Sequence, residues 1–122
     1  MRHPGTPMMF ALDKDDGSLL VLATQDEAAV HCKPVDVHDG YWQFFDDDGS
    51  PLEARFEPKD QSGDAGESVG AYALHRAMSG LWLQERLGRI ASVRGCGLAS
   101  VDDLVETLRI NRGKRAAAAR RD

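Results

Sequence analysis

The sequence predicts an α+β fold: a small, mostly antiparallel sheet packed against helices, with elements in the order β-β-α-β-β-β-α-α. Three observations predict it. Twice in the first half, an apolar run meets an aspartate- and glycine-rich turn and a second run follows. A capping pair opens a short helix between these two units, and apolar residues recur at helical spacing in the last third. At 122 residues a chain buries about two thirds of its unfolded surface, enough for one hydrophobic core. A content of 42% apolar and 29% charged residues excludes disorder over most of the length. The whole chain, residues 1–122, is therefore read as a single domain, with residues 1–7 (MRHPGTP) as a flexible leader and residues 109–122 as a basic tail.

The first hairpin runs through MMFAL (8–12), DKDDG (13–17) and SLLVLA (18–23). Gly17 supplies the positive φ of the turn, and the unbroken run from Leu19 to Leu22 predicts a strand covered on both faces. Thr24 with Glu27 forms a capping box, which places Ala28, Ala29 and Cys32 on the inner side of a helix ended by Pro34. Residues 35–57 repeat the strand, turn, strand pattern. Tyr41 to Phe45 lead into the Asp46, Asp47, Asp48, Gly49, Ser50 turn, with Trp42 and Phe44 on one face and Tyr41, Gln43 and Phe45 on the other. One of these faces is expected in the core, with Trp42 a core residue.

Residues 58–68 (PKDQSGDAGES) read as a surface loop, and residues 69–76 as a strand with Tyr72 and Leu74 inward. Ser79 is placed to cap a helix carrying Leu83, Leu87, Ile90 and Ala91 and stopped by Gly95; Trp82 on it is expected in or near the core. Ser100 with Asp103 opens a last helix with Val101, Leu104, Val105 and Leu108 on one face. These two helices are expected to close over one face of the sheet. The tail from Arg109 to Arg121 holds six basic residues and no acid, and reads as a frayed helical extension.

Charge is distributed unevenly. Residues 1–67 hold 15 Asp and Glu against 5 Lys and Arg, whereas residues 68–122 hold 5 acids against 10 bases. A front half at −10 and a rear at +5 are a statement about partners, and the front should attract something basic. Cys32 and Cys96 stand without CxxC spacing and read as free thiols. No apolar stretch reaches the ~18 residues of a membrane span and no signal-peptide run is present, so no membrane association and a cytoplasmic location are expected.

No set of nucleophile, acid and base stands at workable spacing, and the chain is expected not to be an enzyme. His31, Cys32 and His38 match no closed zinc site and lack a fourth ligand. Asp46, Asp47 and Asp48 lack the terminal glutamate of a calcium loop. No cofactor and no metal is expected. The aspartate triplet reads either as a solvated hairpin tip or as part of an anionic docking face beside Tyr41, since exposed aromatics within a charged rim are the composition of interface anchors. Carboxylates imitate phosphate in front of the Lys- and Arg-lined clefts of enzymes that cut nucleic acid, which makes such a nuclease a fitting partner.

The hairpin FALDKDDGSLLVLA, the helix opening TQDEAA and the strand GYWQFFDDDGSPLEA together resemble the small immunity proteins that accompany polymorphic and contact-dependent growth inhibition toxins in bacteria. The likeness spans residues 9–57 and is weaker over residues 69–108. It implies a non-enzymatic inhibitor that binds one cognate toxin domain, often a nuclease of the RNase (including tRNase) or DNase class, and plugs its active site or covers a nearby surface. Toxin-binding residues vary with the toxin in such proteins, so positions rest on charge and exposure: Asp39, Tyr41, Asp46, Asp47, Asp48 and Glu53. Two rivals remain. One is a small regulatory or adaptor domain whose basic tail touches nucleic acid, an attraction that the −10 front half partly cancels. The other is an enzyme with an unrecognised site among His31, His38, His75 and the acids.

Overall fold

The computed structural model describes residues 8–56 and 71–120. The expected leader and the surface loop at 58–68 lie outside the described residues. The fold is α+β, with a six-stranded, mostly antiparallel sheet. Its elements are β1 (Met9–Asp13), β2 (Ser18–Leu22), α1 (Gln25–His31), α2 (Pro34–His38), β3 (Trp42–Phe45), β4 (Pro51–Phe56), β5 (Tyr72–Arg76), a 3-10 helix (Leu83–Arg89), β6 (Ser92–Arg94) and α3 (Val101–Arg120). The strand order is β5-β4-β3-β1-β2-β6, antiparallel throughout except for the parallel β2 and β6 pair.

Both faces of the sheet are covered, as the unbroken run in β2 predicts. On one face Phe10, Leu12, Leu19 and Phe45 pack against Leu83 of the 3-10 helix and Leu104 and Leu108 of α3. On the other, Ala11, Leu22, Phe44 and Tyr72 meet Ala28, Cys32 and Val37 of the α1 and α2 layer. Alternation along β1 assigns its residues to the two cores in turn. Phe44 and Phe45 are accordingly both buried, where only one face of β3 was expected in the core, because helices lie on each side. Trp42 is half-buried at the margin of the second core.

The cap of α1 forms as expected: Thr24 Oγ1 accepts the Glu27 N–H at 3.2 Å, and Glu27 Oε1 accepts the Ala23 N–H at 3.1 Å. Ala28 and Cys32 face inward, whereas Ala29 is exposed. Pro34 does not lead directly into a strand; it is the first residue of α2, where its missing N–H costs nothing. Tyr72 fixes this layer to β5, its Oη donating to the carbonyls of Cys32 at 2.7 Å and Ala28 at 3.2 Å.

The helix expected after Ser79 is shorter and of another kind. A 3-10 helix begins at Leu83, with Glu85 Oε2 accepting the Trp82 N–H at 2.8 Å. Residues 92–94 leave the helical path because the Gly17 carbonyl accepts the Ala91 and Ser92 N–H groups and β6 pairs with β2. The connection thus crosses one sheet face from the β3–β4 turn, where Leu83 N–H donates to Gly49 O at 2.8 Å, to the β1–β2 turn at the other end. Gly17, at φ +78°, admits this approach: a Cβ there would stand 2.6 Å from Arg89 O. The Ser100 cap of α3 forms as read, accepting the Asp103 N–H at 3.1 Å. Leu104 and Leu108 are buried and Val105 is exposed. The helix continues unbroken to Arg120, through the expected tail.

Candidate functional site

The aspartate triplet lies on the β3–β4 turn. Asp46 N–H donates to Ser50 O at 2.8 Å, and Gly49, at φ +90°, completes the reversal. Asp48 is buried at 5% exposure, and its Oδ1 accepts both the Ser50 N–H (3.0 Å) and the Ser50 hydroxyl (2.7 Å). Two guanidiniums close on the cluster. Arg115 of α3 stands 2.8 Å from Asp47, 3.2 Å from Asp46 and 3.7 Å from Asp48, and Arg76 of β5 stands 3.5 Å from Asp48 and 3.8 Å from Asp46. Asn111 Nδ2 adds a 2.8 Å bond to the Asp47 carbonyl. The most conspicuous acidic run in the sequence is therefore bound to the cationic C-terminal helix of its own chain.

The titration of these groups follows from their surroundings. Burial pushes Asp48 up, but the Ser50 hydrogen bonds and the Arg115 and Arg76 charges together outweigh it, and its carboxyl is held below the ordinary range. Asp47 moves the other way: burial, assisted by Asp46 and Asp48, outweighs Arg115. Among the described residues, the triplet is the one group of three His, Cys, Asp or Glu placed to share a cation, with ligand oxygens within 4.8 Å of one another. The two guanidiniums supply positive charge there, and no ion is needed to explain the cluster. His31, Cys32 and His38 form no such group.

Asp39 and Tyr41 lie at the opposite end of β3. Five residue steps at about 3.3 Å each separate Tyr41 from Asp46 by about 16 Å. Tyr41 is tied on both sides, its N–H donating to Asp36 O at 3.0 Å and its carbonyl accepting the Lys14 N–H at 2.9 Å. These bonds bring the end of α2, with Asp36 and Asp39, against the β1–β2 turn, with Asp15 and Asp16. Tyr41 is 45% exposed between them. Among the described residues none of these four carboxylates is paired with Lys or Arg; Asp39 has His38 at 3.6 Å, both well exposed. Asp16 Oδ1 accepts the Ser18 N–H at 2.9 Å, a bond that lowers its pKa.

Glu53 belongs to neither end. It stands exposed on β4 and is held by Arg55 at 2.8 Å. The six positions expected to dock together thus fall into three places: Asp39 with Tyr41, the triplet, and Glu53. Asp15, Asp16 and Asp36 join the first place, and composition gave no sign of them, because their proximity to Tyr41 comes from strand register (Asp13 opposite Trp42) and from the unanticipated α2.

Comparison with family models, with curated proteins and with solved structures finds no match. Among the described residues no helix is long and apolar enough to cross a membrane.

Proposed function

We propose that this chain is a non-enzymatic binding protein of the immunity type, which neutralises a basic toxin domain, a nuclease, by docking the acidic edge around Tyr41. One observation carries the reading: a half-exposed tyrosine stands among four carboxylates, none of which forms an ion pair with a Lys or Arg among the described residues. Such an edge offers a cationic cleft both charge complementarity, which speeds encounter, and an aromatic anchor, which slows release. The triplet is not the docking group in this reading. Its field is largely cancelled by Arg115 and Arg76, and separating those pairs would cost binding energy.

The adaptor alternative loses support from the same contacts. Within the basic tail, Arg115 is engaged by aspartates and the Arg112 guanidinium lies 5.4 Å from the centre of the Trp82 ring, which leaves fewer cations for phosphate.

Growth rescue tests the proposal. The chain is co-expressed with basic nuclease toxin domains, and protection against one of them, with co-purification, is expected. Tyr41→Ala is expected to weaken binding by about 2 kcal/mol or more if the ring fills a pocket. Full protection by a variant with Asp36, Asp39 and Tyr41 all replaced would refute the proposed edge.

A further inference from the structure

We propose that the sheet end beside the β1–β2 turn holds a binding site for a tetrahedral oxyanion, a phosphate group, formed by Lys14, Gln43, Arg86 and Arg89. A cavity of about 120 Å³ opens there between the 3-10 helix and the sheet, lined by these four residues with Leu12 and Asp13. A single water occupies about 10–15 Å³ by this measure, so the space admits an oxyanion together with solvent.

Strand geometry gathers the donors on one face. Leu12 and Gln43 are register partners across β1 and β3, on the side where Leu12 and Phe45 enter the core with Leu83 of the 3-10 helix. That helix contributes Arg86 and Arg89. Asp13 also lines the cavity, with its carboxylate engaged locally, Oδ1 accepting the Asp15 N–H at 2.9 Å. Among the described residues no carboxylate forms an ion pair with Lys14, Arg86 or Arg89.

The deciding observation is Arg86 Nε, a buried donor with no hydrogen-bond partner among the described residues. Buried donors are almost always satisfied, and an orphan donor on a side chain that lines a cavity with two further cations fits an acceptor carrying negative charge. Three positive groups exceed what a water can answer. Lys14 approaches from the turn, Arg86 and Arg89 from the 3-10 helix, and the neutral Gln43 amide from β3, a spread that suits a tetrahedral anion better than a planar carboxylate. The proposal does not rest on the docking function, and the two fail separately.

Inorganic phosphate is titrated into the full chain at constant ionic strength, with the Arg86 Nε–H and Gln43 side-chain amide resonances as readout. Saturable shifts confined to this end are expected. Arg86→Gln and Arg89→Gln should each weaken binding about tenfold through loss of a charge-assisted fork, with Arg86→Lys weakened less than Arg86→Gln and Lys114→Gln on α3 unchanged. Should Arg86→Gln fail to fold, Lys14→Gln and Arg89→Gln, both at exposed positions, carry the same test. Shifts that do not saturate, that acetate or chloride reproduces equally, or that persist in the Lys14 and Arg89 variants would overturn the site.

Discussion

Arg115 and Asp48 show how one side chain changes the meaning of a sequence motif. Three adjacent aspartates repel one another, and a buried carboxylate without a counter-charge is costly. Arg115, 67 positions after Asp48, relieves both problems. Arg115→Ala is therefore expected to lower stability by about 1–2 kcal/mol in urea, between the values for exposed and buried pairs because Arg115 is itself 40% exposed. The two aspartates also give opposite pH signatures. The lowered Asp48 contributes stability above the unfolded carboxyl pKa of about 3.9, which is lost as pH falls through its lower folded value. The raised Asp47 contributes below about 3.9 and loses that contribution as pH rises through its higher folded value. Asp48→Asn should thus be most destabilising near pH 6 and approach wild type near pH 3. Asp47→Asn should not show that convergence. Denaturant curves at the two pH values decide between them. Cys32 gives a third expectation: burial, with Asp13 and Asp36 nearby, pushes its thiol up to about 12, so alkylation at pH 8 should be slow in the folded protein. Rapid labelling of Cys32 under native conditions would contradict its place in the core.

At the scale of elements, local chemistry was legible wherever it was decisive. The β1–β2 turn, the Thr24 and Ser100 caps and strand β5 follow from residues within a few positions of one another. Three features did not, each for a physical reason. Helix α2 is five residues long, too short to leave a periodic signal, and exists by packing Val37 on the sheet. Strand β6 has three residues with one buried side chain, Val93, and is defined by its parallel partner β2. The 3-10 helix carries apolar residues at α-helical spacing, but its path is set by the two turns it spans, Gly49 and Gly17. The candidate site was half legible: Asp39 and Tyr41 from composition, their neighbours Asp15, Asp16 and Asp36 only from register. The bonds that hold the α1 and α2 layer to β5 are likewise long-range, and Tyr72→Phe, which removes both, should cost about 1 kcal/mol in a denaturant titration. An unchanged midpoint would mean that these bonds are replaced by water without loss.

Over the whole molecule, the contrast between an anionic front half and a cationic rear is partly an internal one. The fold brings α3 back to the β3–β4 turn, so the strongest charges of each half neutralise each other there. At the other end of the sheet, carboxylates gather around Tyr41 beside α2, and Lys14, Arg86 and Arg89 line the cavity beneath the 3-10 helix. Sign asymmetry along a sequence therefore forecasts surface potential only after such internal pairs are subtracted. The proposed docking edge is what that subtraction leaves.

Affinity for whichever toxin domain the chain protects against in growth rescue, compared between two charge reversals, tests the proposed docking edge most directly. Asp36→Lys with Asp39→Lys is expected to weaken binding at least about a hundredfold and to slow association at low salt, as like charges meet across the edge. Glu53→Lys, on β4 away from Tyr41, is expected to change it by less than about threefold. Equal effects of the two, or binding untouched by the first, would contradict the assignment of the Tyr41 edge as the surface through which this protein acts.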